Sequence, residues 1–165
     1  MRGLEDPFAQ DREIGERWAK IAFEHRERNI ETKKGLKLKV KAVPVEKRRA
    51  EYNAYLLDGR HIAWMYTGAI RKGYSRVTNA NVDPHALKEI SEFRQIGIGT
   101  ALYDLIESDI KAAGGRGLEP DWGAMNEDAI EFWKKRRPEL SDKLATYGPH
   151  GSARMPYEEW TKSED

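Results

Sequence analysis

The clearest pattern along the chain is "LKLKVKAV", Leu36 to Val43. Leu36, Leu38, Val40 and Ala42 alternate with Lys37, Lys39 and Lys41, so the apolar set faces one way and the lysines the other. That period of two predicts a half-buried strand with a solvated lysine row. A different period precedes it. Ile14, Trp18, Ile21 and Ala22 recur at helical spacing among charged residues, which predicts a helix over 7–29. Gly35 ends that pattern. Asp58-Gly59 sits between two apolar runs and predicts a two-residue hairpin turn. Together these give an antiparallel meander, Leu36–Val43, Tyr52–Leu57 and His61–Ile70.

Beyond Gly73 the pattern is ambiguous. Asp83-Pro84 has the chemistry of a helix start, with Asp as cap and Pro at the first helical position. The next strand falls either at Val77–Val82 or at Leu87–Ile90. After Gly99 the helical period returns: Ala101, Leu102, Leu105, Ile106 and Ile110 form one face, and Gly114-Gly115 closes it. "RGLEP" reads as a short strand stopped by Pro120. "MNEDAIEFWKKRRPEL" reads as a helix with Asn126 as N-cap, acids in the first turn and bases in the last, complementing the helix dipole. Residues 141–165 read as a polar tail. The order predicts a single mixed α/β (α+β) domain over 1–165: an N-terminal helical segment over 1–34, a core over 36–140, and a tail over 141–165.

Composition narrows the chemistry. The chain has 165 residues and no cysteine, which excludes disulfides, thiolate metal sites and a cysteine nucleophile. The four histidines, His25, His61, His85 and His150, show no metal-ligand spacing. No apolar run approaches the ~20 residues that span a bilayer, and no signal-peptide core is visible, so a cytoplasmic protein without a membrane partner is expected. The formal net charge is +1, which disfavours nucleic acid as a bulk electrostatic partner. The lysine row and the "KKRR" run (Lys134 to Arg137) are the features that would argue otherwise.

The stretch with the most chemistry is "EFRQIGIGTALYDLIESDI", Glu92 to Ile110. Gly97-Ile98-Gly99 stands at the mouth of a helix. The first N–H groups of a helix lack intrahelical partners and face the positive end of the dipole, so this is anion-receptive ground. Glycine lets a phosphate approach the main chain. Arg94 adds a forked donor. A P-loop requires Gly-Lys-Ser/Thr, and Thr-Ala follows Gly99. A dinucleotide fingerprint requires a third glycine where Leu102 stands.

"Arg94-Gln95-Ile96-Gly97-Ile98-Gly99-Thr100-Ala101-Leu102" resembles the acyl-CoA signature Gln/Arg-x-x-Gly-x-Gly/Ala of the GNAT superfamily, the Gcn5-related N-acetyltransferases. Arg94, Gly97 and Gly99 match it. A second similarity follows in order: Asn126, Ala129 and the aromatic pair Phe132-Trp133. The resemblance covers roughly residues 50 to 138. It implies a mixed, mostly antiparallel sheet flanked by helices and splayed near its middle. It implies acetyl-CoA as co-substrate, held by Arg94, Gln95, Ile96, Gly97, Ile98, Gly99, Thr100 and Ala101, with Asn126 and Trp133 close to it. A small-molecule or protein amine would attack the thioester directly. The strand before Arg94 would hydrogen-bond the pantetheine and polarise the carbonyl.

Glu89 is the candidate general base if Leu87–Ile90 is that strand; otherwise it is a surface carboxylate. His85 and Glu92 are weaker candidates. The sequence departs from the family in three places. Trp133 stands where a tyrosine often serves as acid, and an indole N–H donates a hydrogen bond but no proton near neutral pH. The link from Asp83-Pro84 to Arg94 is long. The two helices that usually separate the first strands are missing. A CoA-binding protein with impaired catalysis is therefore the alternative expectation. The acceptor and the oligomeric state, a homodimer included, are left open.

Overall fold

The computed structural model describes residues 8–45, 49–82, 97–122, 125 and 127–147. The chain falls into two compact units, residues 1–118 and 119–165. The first unit begins with helix α1 (Ala9–Glu24), which buries Ile14, Trp18 and Ala22. Strands β1 (Glu27–Glu31), β2 (Lys37–Val45), β3 (Arg49–Leu56), β4 (His61–Thr67) and β5 (Tyr74–Val82) follow, then helix α2 (Ile98–Ala112) and the short strand β6 (Gly117–Glu119). The sheet order is β1-β2-β3-β4-β5-β6. Each of the first four pairings is antiparallel.

The helix predicted over 7–29 stops at Glu24, and Glu27–Glu31 is a strand instead. Its inward positions are Arg28 and Ile30, and the arginine hides the alternation. β2 has the expected faces: Leu38, Val40 and Ala42 are buried, and Lys37 and Lys39 are exposed. The ambiguity after Gly73 resolves to Tyr74–Val82. Leu87–Ile90, the other option, lies outside the described residues. The meander is therefore five strands long.

Two turns follow distinct rules. At Asp58-Gly59 the Gly59 N–H donates to Leu56 O and the Leu56 N–H donates to Arg60 O. Gly59 has φ +94°. This is a three-residue loop ending in a left-handed glycine bulge, not the expected two-residue turn. Between Arg71 and Tyr74 the two residues exchange both backbone hydrogen bonds. Lys72 and Gly73 both carry positive φ, 50° and 84°, as a two-residue type I′ hairpin turn requires. Asp11 on α1 accepts from both Lys72 N–H and Gly73 N–H, at 2.9 and 3.0 Å.

α2 ends as its sequence predicts. The Gly114 N–H donates to Lys111 O and the Gly115 N–H to Ile110 O, and Gly114 has φ +94°: a Schellman motif. The Arg116 N–H then donates to Gly73 O at 2.7 Å. That bond starts β6 beside the head of β5. β6 therefore runs parallel to β5, and α2 is the return arm of a β–α–β crossover.

In the second unit lie helix α3 (Glu127–Arg136), a 3₁₀ turn at Pro138–Leu140 and helix α4 (Ser141–Tyr147). Trp122, Ile130, Trp133, Leu140 and Leu144 are buried. The segment expected as a polar tail thus opens with a helix whose Leu144 is 1% exposed.

Candidate functional site

Gly97 is the N-cap of α2, in the left-handed region at φ 82°, with no side chain capping the helix. The first intrahelical bond is Ala101 N–H to Gly97 O at 3.0 Å. The N–H groups of Ile98, Gly99 and Thr100 therefore precede the helical ladder and have no acceptor within it. No acidic residue occupies the first turn, so nothing there offsets the positive end of the dipole.

The two glycines differ in what requires them. Gly97 needs its freedom of φ. Gly99 does not have a left-handed φ, and a Cβ at either position would meet nothing within 4 Å. Neither backbone conformation nor packing against described residues demands glycine at 99. Among the described residues the approach to the main chain there is open. Ile98 is 1% exposed, so its side chain anchors the turn in the core while its N–H stays at the helix mouth. Thr100 and Ala101 are half-buried.

The crossover geometry places this mouth. α2 is 15 residues long, about 22 Å at 1.5 Å per residue. Its C-terminal end sits by Gly73 at the head of β5, so its N-terminus points toward the C-terminal end of β5. In open α/β sheets that is the end where ligands bind. β5 is nine residues long and its neighbour β6 only three. Because β6 starts at the head of β5, the strand edge at Asn79–Val82 extends beyond it. A register shift between Tyr66 and Thr67 leaves Thr78 as the extra residue of a bulge just before that edge.

Of the residues singled out in the sequence, Gly97, Ile98, Gly99, Thr100 and Ala101 come together on this one turn. Glu89, Arg94, Gln95, Ile96 and Asn126 lie outside the described residues, as do His85 and Glu92. Trp133 belongs to the second unit, where it is 2% exposed and meets Phe132 edge-to-face at 5.6 Å between ring centres. Among the described residues no group of three or more His, Cys, Asp or Glu could hold a metal ion. No helix among them is long and apolar enough to cross a membrane.

A wide depression elsewhere is lined by Phe23, Glu24, Arg26 and Glu27, at the junction of α1 and β1. Its charges are mixed and surface-exposed, and Arg26 lies over the Phe23 ring at 5.5 Å. The N-terminus of α2 is the better candidate, because its first N–H groups, without an acceptor among the described residues, share one direction and one sign.

Sequence reasoning missed a buried polar network behind the site. Arg28 donates from both terminal nitrogens to the two Asp109 carboxylate oxygens, at 2.6 and 2.7 Å. The Tyr52 hydroxyl donates to Asp109 Oδ2 at 2.6 Å. The Trp18 indole N–H donates to the Tyr52 oxygen at 3.0 Å. Asp109 is 4% exposed and sits on the same helix as Gly97. Burial acts against the Arg28 charge, yet the hydrogen bonds and charge of Asp109 prevail and hold its pKa above the ordinary value. The network ties α1, β1 and β3 to α2 and so fixes the helix that presents the glycine turn. The signal was present in the sequence: Asp109 falls seven residues after Leu102 and three after Ile106, on the apolar stripe.

Comparison with known proteins returned no matching family model, no matching curated protein and no matching solved structure.

Proposed function

We propose that this chain is an N-acyltransferase of the GNAT type, moving an acetyl group from acetyl-CoA to an amine. The observation that carries the reading is the mouth of α2: an uncapped helix start with a left-handed glycine, open space at Gly99 and no acid in its first turn. The N–H groups of Ile98, Gly99 and Thr100 would receive the CoA pyrophosphate. The β5 edge at Asn79–Val82 would pair with the pantetheine and polarise the thioester carbonyl. The amine nitrogen then attacks the carbonyl carbon, the C–S bond breaks, the CoA sulfur leaves as thiolate, and the amine gives its extra proton to a base. By resemblance Arg94, Gln95 and Asn126 would assist binding; with β5 in the strand's role, the condition that made Glu89 the base is not met, and the base is left unassigned.

Calorimetric titration with acetyl-CoA tests this. Gly97→Asp is the informative variant, because Asp tolerates a left-handed φ and caps helices well. The fold should therefore survive while a carboxylate occupies the anion site. We expect native binding and at least a roughly tenfold loss in the variant, or about 1.4 kcal/mol. Unchanged binding would remove the site from consideration.

A second reading has its own observation. Trp133 is buried and cannot supply a proton, so the chain would bind CoA and catalyse nothing. Thiol release measured over a panel of amines, for the native protein and for Trp133→Tyr, separates the two. Turnover by the native protein rejects the second reading. Binding without turnover, gained by Trp133→Tyr, supports it.

A further inference from the structure

We infer that the outer face of the β1–β5 sheet is a docking surface for single-stranded nucleic acid, a property independent of the acyltransferase reading. α1 lies on the other face, where Trp18 reaches Tyr52. The outer face carries a row of rings. Tyr55 pairs with His61 across β3 and β4, stacked at 4.8 Å between ring centres with an interplanar angle of 27°. His61 meets Trp64 at 5.4 Å. Tyr66 follows on the same face and is 40% exposed.

Register sets cations beside those rings. Lys39 is the β2 partner of Tyr55, and Lys41 lies over the Tyr55 ring at 5.0 Å. Lys33, Lys34, Lys37 and Lys39 are exposed and enter no ion pair among the described residues. Lys41 alone of the row is paired, with Glu27 at 3.7 Å. On the far side Trp64 faces Asn81 and Tyr66 faces Asn79, both amides exposed. Inside the β1 edge, which carries Glu27, Asn29 and Glu31 on this face, three zones follow in order: lysines, rings, amides.

The lysine row on the inner strand β2 stands opposite Glu27 and Glu31 on the edge strand β1, and explains itself as cross-strand charge pairing. It does not explain three adjoining rings left at the surface of an inner strand pair, where apolar area is ordinarily buried. A single strand of nucleic acid uses all three zones. Its phosphates meet the lysines, its bases stack on the rings whatever their identity, and its base edges meet the amides. A duplex hides its base faces and gains only from the lysines. The net charge of +1 is no obstacle, because Lys33, Lys34, Lys37, Lys39 and Lys41 outnumber the acids beside them, Glu27 and Glu31 on β1 and Glu51 on β3.

The test is fluorescence anisotropy of labelled oligouridine and oligothymidine of about 12 nucleotides, with an oligonucleotide duplex as a third arm. Salt runs from about 50 to about 200 mM. Lys37→Glu with Lys39→Glu alters exposed side chains, and Trp64→Leu removes a ring; circular dichroism and melting confirm that both variants fold. The proposal expects single strands to bind better than duplex, weaker binding at higher salt, and roughly tenfold loss in each variant. It also expects quenching of tryptophan fluorescence that disappears in Trp64→Leu. Absence of binding at the lowest salt overturns it. So does equal affinity for duplex, equal competition by polyglutamate, or binding unchanged in either variant. Acetyl-CoA titration of the same lysine variant keeps this result separate from the α2 site, which that variant leaves intact.

Discussion

Asp109 gathers donors from residues 81 and 57 positions away in sequence, Arg28 and Tyr52. Both of its oxygens accept hydrogen bonds, one of them from two donors, so the buried carboxylate is tolerated, whereas an unpaired one would cost several kcal/mol. The arrangement has a weak point: Arg28 Nε is buried without a partner. Asp109→Ala strands the Arg28 guanidinium and the Tyr52 hydroxyl together. It should lower unfolding free energy by about 3–5 kcal/mol, measured by urea denaturation at neutral pH. Arg28→Met combined with Asp109→Leu should cost clearly less than the two single changes added, because the double variant leaves no charge uncompensated. Simple additivity in that cycle would show that the pair contributes nothing as a unit. The same residue explains a failure of pattern reading. A carboxylate on an apolar helical stripe and an arginine at an inward strand position each look like surface residues when read alone. Only their pairing across the fold makes them core.

Among the elements, those specified by local chemistry were legible, and those specified by a distant partner were not. β2 declares itself through strict alternation, and α2 through its stripe and its closing glycines. β1 does not, because Arg28 takes the place of an inward apolar residue and the chain from His25 to Glu31 offers neither glycine nor proline to end the helix. The closing turn of α2 gives the sharpest test at this level. A Cβ on Gly115 would stand 2.6 Å from Ile110 Cγ2 and 3.0 Å from Gly73 O. A Cβ on Gly59 would meet nothing within 4 Å, although its φ is +94°. Gly59→Ala therefore carries only the conformational penalty, about 1 kcal/mol. Gly115 has no left-handed φ, but Gly115→Ala must move Ile110 and the α2 terminus off the β5 hairpin and should cost about 1–3 kcal/mol. Thermal melting of the two variants side by side checks the order. If Gly59→Ala proves the more damaging, the packing of α2 against the hairpin is looser than these distances require.

Across the molecule, the part of the candidate site visible in both sequence and structure is the helix mouth, since a glycine-rich helix start is a local feature. The expected base and the basic residues before Gly97 depend on the path of residues 83–96, and no local pattern fixed it: Leu87–Ile90 and Val77–Val82 had equal claims as the strand, and β5 took the latter. What holds the mouth in place is a whole-molecule property, the network through Tyr52, and it has a pH signature. Burial first, then the charge and hydrogen bond of Asp109, push the Tyr52 hydroxyl far above its ordinary pKa of 10.0. The Trp18 N–H and the Arg28 charge act in the opposite direction but do not prevail. The folded protein thus keeps this proton to higher pH than the unfolded chain. Its contribution to stability is complete below pH 10 and declines as pH rises above it, by up to about 1.4 kcal/mol per unit. Tyr52→Phe has no such proton to lose. It should be less stable than the native protein near neutrality, where the hydroxyl bonds a charged partner, by about 1.5–3 kcal/mol. Between about pH 9 and pH 11 the gap should narrow by about 1.4 kcal/mol, as the native protein alone carries the ionisation term. Every other ionisable group is shared by both proteins and cancels in the difference. Urea unfolding of the pair across that range reads it directly; a gap that stays constant would mean that the hydroxyl does not hold its proton against Asp109 and that the network is not what fixes α2.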